Sequence, residues 1–404
     1  MTGILEGVKV IDMGAAIAMP SAALTLGDWG AEVIRLEALT VDMPRRPRVE
    51  WAADYQVSEL TNRNKKAIAV NLKKERGQEI LHKLAQRADI FMGSYEQSAL
   101  KKLKADYATL SQINPGIIYV LLTGYGTVGP DKDDRGYDYA ASWARSGAQY
   151  QIGEPGIIPP MNLWGFGDRV AASHIVGGTM AALWHREKTG KGQELEVSLY
   201  HSGVWSLASD VQSALMGAPP PKFERARTGA NINPLWNSYR TKDGRWFQLS
   251  TQGGLHWPEL CRALERPDLE KDPRVGGGDL SKNVDALREN CAEVISIFDE
   301  IFASRTMKEW EKRFKENDVI YGLVATPMEV TQDPQALANN FFAELDTPAR
   351  GKIRVVTTPV TFRQNPSSVR TPAPELGQNT EEILLDLGYS WEDIAQFKEQ
   401  GVIL

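Results

Sequence analysis

From Val8 to Leu122, short apolar runs of strand character alternate with longer stretches of helical character, and that alternation restricts the chain to few folds. Val8-Lys9-Val10-Ile11-Asp12-Met13 reads as a short buried strand, punctuated by Gly14, Met19 and Pro20, and residues 21–29 have helical character. Glu32-Val33-Ile34-Arg35-Leu36-Glu37 alternates apolar with charged side chains, the period of a second strand. A β-α-β unit with a crossover of this length predicts parallel pairing. Further strands are expected at Ala67-Ile68-Ala69-Val70-Asn71, Asp89-Ile90-Phe91-Met92 and Ile117-Ile118-Tyr119-Val120-Leu121-Leu122. Helices are expected over 73–88, apolar at Ile80, Leu81, Leu84 and Ala85, and over 98–113. The prediction is an α/β fold with a doubly wound, Rossmann-like layer.

Gly124-Tyr125-Gly126-Thr127-Val128-Gly129 matches the dinucleotide fingerprint, which requires the loop to open a helix facing the pyrophosphate. Here Pro130, Asp131, Lys132, Asp133 and Asp134 follow, a polar turn with negative charge where phosphate would sit, and the match comes after the fifth strand. It reads as a decoy. Beyond it, 138–147 has helical character and 153–165 is a Pro/Gly-rich loop. A strand is expected at Glu194-Leu195-Glu196-Val197-Ser198-Leu199 and a helix over 200–216. Gly217-Ala218-Pro219-Pro220-Pro221 looks like a linker. Residues 225–330, with a strand at Trp246-Phe247-Gln248-Leu249 and then mostly helices, read as a smaller α+β domain. A late strand is expected at Lys352-Ile353-Arg354-Val355-Val356.

Several function classes drop out. A net charge of −6 over 404 residues provides no basic field for nucleic acid. Cys261 and Cys291 are too few for a disulfide scaffold, and the five histidines form no His-x-x-x-His pair, so no metal site is expected. The start lacks the basic and apolar regions of a signal peptide, and no apolar run nears the ~20 residues that cross a bilayer. The expectation is a soluble cytoplasmic protein with no membrane partner. The cluster Pro44, Arg45, Arg46, Pro47, Arg48 reads either as a solvated loop or as a basic rim beside an anionic ligand.

Gly165-Phe166-Gly167-Asp168-Arg169-Val170 is the one place where an acidic side chain looks set to react. It lies between flexible glycines and the helical run 170–184. An aspartate here reads either as a helix N-cap or as a nucleophile, and the residues alone leave both open.

Several ordered blocks resemble the class III CoA-transferase family, the formyl-CoA transferase and carnitine CoA-transferase group. They are Leu5-Glu6-Gly7-Val8-Lys9-Val10-Ile11-Asp12, Gly27-Asp28-Trp29-Gly30-Ala31-Glu32, and Asn62-Arg63-Asn64-Lys65-Lys66-Ala67-Ile68-Ala69-Val70-Asn71-Leu72-Lys73. Thr123-Gly124-Tyr125-Gly126, Arg135-Gly136-Tyr137-Asp138, Gly167-Asp168, Thr189-Gly190-Lys191-Gly192-Gln193 and the tail Pro372-Ala373-Pro374-Glu375-Leu376-Gly377 continue the series. The resemblance implies a large Rossmann-like CoA-binding domain from residues 1–216 plus 340–404 and a small α+β domain from 225–330. Segments 217–224 and 331–339 would connect them, in an interlocked homodimer.

The resemblance also implies that Asp168 is the catalytic aspartate, carrying first an acyl group as anhydride and then CoA as thioester. Substrates would be an acyl-CoA and a free carboxylic acid, with no cofactor bound permanently. The aspartate is expected to be ionised at neutral pH, helped by ~0.3–1 kcal/mol from the helix N-terminus. The CoA-binding positions it implies are Ile17, Ala18, Val70, Leu72, Lys73, Ser94, Tyr95, Lys102, Arg135 and Tyr137. Ala38 replaces a cation of some members, whose work would fall to Arg35 or Arg45. Tyr139, Trp143, Trp164 and Trp236 are expected in the acyl pocket and read equally well as ordinary core. Trp143-Ala144-Arg145-Ser146-Gly147 resembles transferases acting on 2-hydroxy acids. Racemases of the same fold use a His that falls in the stretch matching Gly136-Tyr137-Asp138, where no His stands, and are disfavoured, as is a nicotinamide-dependent dehydrogenase. A noncatalytic CoA-binding protein is the remaining alternative.

Overall fold

The protein is described here by a computed structural model covering residues 3–40, 56–153, 157–218, 233–348 and 350–404. The Arg45 cluster and Pro219, Pro220 and Pro221 lie outside the described residues. In chain order the elements that build the site are β1 (Lys9–Met13), α1 (Ala18–Asp28), β2 (Glu32–Glu37), α2 (Gln56–Asn62), β3 (Lys65–Ala69), α3 (Glu75–Arg87) and β4 (Ile90–Gly93). They continue with α4 (Gln97–Lys102), α5 (Tyr107–Ile113), β5 (Ile118–Thr123), a π-helical turn at Asp138–Ala144, α6 (Ala148–Ile152), α7 (Phe166–Thr189), β6 (Gln193–Ser198) and α8 (Leu199–Ser206).

The six strands form one sheet in the order β3-β2-β1-β4-β5-β6, every pair parallel. Successive strand side chains point to opposite faces, and both faces are buried, as a parallel sheet requires. Val10, Ile90, Met92, Ile118, Val120 and Leu122 pack with α1 and α7 through residues such as Ala22, Leu26, Ala171 and Ile175. Ile11, Phe91, Tyr119 and Leu121 pack on the other face with Ile80, Leu81 and Leu84 of α3. The same cluster takes in Ile383, Leu384, Ile394 and Phe397 from helices Thr380–Asp386 and Trp391–Glu399 near the C-terminus.

By its own packing the chain divides into two units. One holds Met1–Gln149, Pro160–Ser209 and Pro334–Leu404, and the other holds Tyr150–Pro159 and Asp210–Asp333. The second contains an antiparallel sheet of Ser238–Arg240, Trp246–Leu249 and Tyr321–Leu323. Its aromatic core is built from Tyr239, Phe247, Phe298, Phe302, Trp310 and Phe314. Of those strands only 246–249 was expected, because three-residue strands leave no readable period. The late strand, Gly351–Val356, pairs antiparallel with Phe342–Thr347. Among the described residues no helix is long and apolar enough to cross a membrane.

Three boundaries differ from expectation for identifiable reasons. β3 ends at Ala69 because the Asn71 N–H turns away to the Val402 carbonyl (2.8 Å). The single helix expected over 98–113 is two. Lys104 adopts φ +53°, and the Asp106 carboxylate starts α5 by accepting the Thr109 N–H (3.1 Å). The helix expected over 200–216 is interrupted at Leu207, with Ala208–Leu215 following α8.

Two motif blocks are tied together by buried charge. Asp28, at the end of α1, accepts Arg63 Nη2 (2.7 Å) and Nε (3.2 Å) and Asn64 Nδ2 (2.7 Å). Asn64 Nδ2 also donates to the Ser368 carbonyl (2.7 Å), so one carboxylate joins α1, the entrance to β3 and the C-terminal segment. Removing one partner of such a buried pair typically costs about 3–5 kcal/mol, since it strands the other charge.

Candidate active site

Asp168 is not the cap of α7. The helix begins at Phe166 after Gly165, which takes φ +68° and offers no side-chain cap, and Asp168 is the third helical residue. Left-handed backbone at 165 suits glycine, and a Cβ there would also meet Ile17 Cδ1 at 2.9 Å. Gly167 is needed for contact. A Cβ on it would overlap Ser142 Oγ and Asp138 Oδ1, so the start of α7 lies directly on the π-helical turn.

That contact determines the state of Asp168. The residue is 8% exposed, and among the described residues nothing donates a hydrogen bond to its carboxylate. Burial, and secondarily the charge of Asp138, push its carboxyl up to about 7, with Arg169 opposing. The rise from 3.8 is worth about 4 kcal/mol at 1.36 kcal/mol per unit. The helix N-terminus contributes ~0.3–1 kcal/mol in the other direction. Burial wins, and the expected full ionisation at neutral pH is corrected to a carboxyl poised between its two forms.

Asp138, part of the block Arg135-Gly136-Tyr137-Asp138, is brought against the start of α7. Its Oδ1 accepts the Ser142 hydroxyl (2.6 Å), while its Oδ2 is buried without a partner among the described residues. A buried carboxylate oxygen left unpaired is costly and marks positions where charge has a use. The 138/142 spacing, one turn apart, was the only signal available in sequence, and it is common. The turn is held from behind by α8, where a Cβ on Gly203 would overlap the Ser142 carbonyl.

Because all six strands are parallel, their carboxyl ends share one edge. The order reverses between β1 and β4, and open α/β sheets bind ligands in the crevice at such a switch point. Several of the positions expected to contact CoA gather there. Ile17 and Ala18 stand where the turn after β1 enters α1, with Ile17 against Gly165. Ser94 follows β4 and accepts the Ala15 N–H on its hydroxyl (2.7 Å). Tyr95 is half-buried, and Arg135 pairs with Glu96 (3.1 Å) beside it. Tyr137 immediately precedes the π-helical turn and is exposed.

Other positions are placed differently. Val70 is core, with its N–H taken by the Glu37 carbonyl (2.8 Å), and the buried Leu72 gives its carbonyl to Gln78 Nε2 (3.0 Å). Of that segment Lys73 alone presents an exposed side chain. Lys102 ends α4, exposed. Arg35 is not available to a ligand: it is 1% exposed and paired with Asp12 and Glu37.

Among the pocket candidates, Trp143 is buried in the π-helical turn and donates Nε1 to the Pro160 carbonyl (3.0 Å). Tyr139 is half-buried in the same turn, and Trp164, shortly before α7, is partly exposed. Trp236 belongs to the second unit, where its Nε1 donates to the Thr251 carbonyl (3.1 Å). After β5 the glycine-rich loop runs to Asp138 before any helix begins. Gly124 is packed so tightly on Gly136 that a Cβ would meet its Cα at 2.7 Å. Those glycines let two backbone segments touch and do not open a helix toward phosphate.

The family model for CoA-transferase family III matches residues 5–380. Among curated proteins, the chain is 35% identical to the (R)-2-hydroxy-4-methylpentanoate CoA-transferase of Clostridioides difficile, covering 99% of each chain. It is 32% identical to the cinnamoyl-CoA:phenyllactate CoA-transferase of Clostridium sporogenes, covering 100% of this chain and 98% of that one. Among solved structures, it resembles Rv3272 of M. tuberculosis with a TM-score of 0.82 and 27% identity, over 95% of this chain and 99% of that one.

Proposed function

From the premise that this chain belongs to CoA-transferase family III and is a CoA-transferase, we propose that Asp168 is its covalent acyl and CoA carrier. The observation that supports this is a buried carboxylate with no donor among the described residues, raised to about 7 and standing at the carboxyl edge of the sheet. Such a group is under-solvated and therefore nucleophilic once ionised. Its carboxylate attacks the carbonyl carbon of an acyl-CoA and expels CoA thiolate, leaving a mixed anhydride on Asp168. The thiolate attacks the Asp168 carbonyl of that anhydride, releasing the donor acid and forming an aspartyl-CoA thioester. An acceptor carboxylate attacks the thioester and expels the thiolate again. The thiolate then takes the acceptor's acyl carbon, and Asp168 returns as carboxylate. No net proton or external reductant is required, and CoA thioester is a substrate, not a resident cofactor.

The acceptor class proposed is 2-hydroxy acids with branched or aromatic side chains. The substrates named for those two relatives, 2-hydroxy-4-methylpentanoate and phenyllactate, support it, together with Trp143 and Tyr139 on the turn that abuts Asp168. Ile17, Ser94, Tyr95 and Arg135 would hold CoA at the switch point. The test is incubation with a panel of acyl-CoA donors and free acids, 2-hydroxy-4-methylpentanoate and phenyllactate among them, read by mass spectrometry. CoA should move to a 2-hydroxy acid, and Asp168→Asn should abolish transfer while keeping the fold, because Gly165 and not Asp168 starts the helix. Transfer to none of the acids would refute the assignment, and full activity in a verified Asn variant would remove Asp168 from it.

A further inference from the structure

The turn between β1 and α1, residues 14–17, stands at the reversal of strand order and ends in Ile17, which lies against Gly165. Beneath it is a set of charges fully withdrawn from water. Asp12 of β1 accepts the Gly14 N–H on Oδ1 (2.9 Å), and on Oδ2 it accepts Lys65 Nζ (2.7 Å) and Arg35 Nη1 (3.2 Å). Arg35 Nη1 also donates to the Gly14 carbonyl (3.2 Å), and its Nε donates to Glu37 (3.0 Å). Lys65 Nζ reaches the Pro20 carbonyl in the first turn of α1 (2.9 Å) and Asn62 Oδ1 (3.2 Å). Within the turn Ala16 sits at φ +57°, a conformation that persists in a non-glycine residue only when its surroundings enforce it. Replacing buried ion networks with apolar side chains is often neutral for stability, so a network kept next to a reaction site calls for a role in arrangement.

We propose that Asp12, Arg35 and Lys65 are a positioning set that acts through the 14–17 turn, holding Ile17 and the start of α1 against the Asp168 helix in the geometry that transfer requires. The proposal rests on the reading of Asp168 as acyl carrier. The groups facing Lys65 are Asp12 of β1, Arg35 and Glu37 of β2, the Asn62 amide of α2 and the Pro20 carbonyl of α1. Burial pushes the Lys65 ammonium down to about 8, with Asp12 opposing and Arg35 reinforcing. Above that pH the positive charge that pairs with Asp12 is lost, and Nζ keeps two hydrogens where it had three. Between about 8 and 10.5 the unfolded chain binds more protons at this lysine than the folded one, so its titration raises stability with pH. A rate that falls over that range through Lys65 therefore reports geometry and not unfolding.

The experiment is single-turnover formation of the Asp168 adduct from acyl-CoA, which contains no free thiol to titrate, followed by rapid quench and mass spectrometry. The wild-type rate should fall above pH 8. Asp12→Asn keeps the Gly14 bond and removes the charge. It and Lys65→Met should slow the step about tenfold or more at neutral pH with KM nearly unchanged, and Lys65→Met should flatten the alkaline limb. Folded Asp12→Asn with the wild-type rate overturns the proposal. If neither variant folds, the wild-type profile decides, and a rate that stays flat through the titration of Lys65 overturns it. Wild-type protein that never labels Asp168 refutes the parent reading and this one with it, whereas normal labelling with unaffected variants refutes the positioning role alone.

Discussion

A carboxyl raised to about 7 by burial and by a neighbouring carboxylate makes two measurable statements at the scale of the residue. The first concerns rate. As the proposed nucleophile Asp168 must be ionised to attack, so kcat/KM should rise with pH through about 7, and Asp138→Asn should move that acid limb lower by removing the like charge. An unmoved limb would mean that Asp138 does not act on Asp168. The second concerns stability. Between pH 3.8 and about 7 the folded chain binds more protons at Asp168 than the unfolded chain, so stability falls as pH rises through that window. Asp168→Asn should therefore be more stable than the wild type above pH 7, by about 1–3 kcal/mol, with the difference vanishing below pH 4. Thermal unfolding at the two pH values checks it. Asp168 stood out as a candidate in sequence because of its motif and its nearness to a helical run, although the helix in fact begins two residues earlier, at Phe166. Its protonation was not legible there, because desolvation is a property of what surrounds a side chain.

At the scale of the element, the start of α7 and the π-helical turn act as one piece. Gly167→Ala would drive a methyl group into Ser142 Oγ and Asp138 Oδ1. Overpacking of that kind costs about 1–3 kcal/mol, and here it would displace the proposed nucleophile as well. Transfer should drop at least about tenfold, and adding Ser142→Ala should recover part of both stability and rate, a coupling that a double-mutant cycle reads directly. Independent effects would show that the two elements do not share the contact. Strands β1, β4 and β5 were legible because an apolar run in a fully buried parallel strand is conspicuous, and β2 because its apolar and charged residues alternate. The break at Lys104 was not, since residues 98–113 keep helical composition throughout; α4 ends before the left-handed Lys104, and the Asp106 cap starts the next helix.

At the scale of the whole molecule, the proposed homodimer is the least local expectation. Trp184 and Trp205, on α7 and α8, are 65% and 67% exposed, unusual for side chains of that size, and a second copy would cover such surface. Light scattering should return twice the chain's mass. If the copies interlock, two differently tagged populations mixed after folding should not exchange subunits, whereas co-expressed ones should. A species of single-chain mass would refute the dimer, and rapid exchange would refute the interlocking alone. The sequence by itself determined the alternating α/β layer, the candidate nucleophile and the family blocks, because hydrophobic period and local motif are written in neighbouring residues. Only the tertiary structure decided that Asp28 joins three segments, that Arg35 is buried beneath the switch point, and that Asp138 lies against Gly167 with its charge near Asp168. Each of those depends on distances between groups remote in the chain and on the water excluded between them, and neither is encoded in any one stretch.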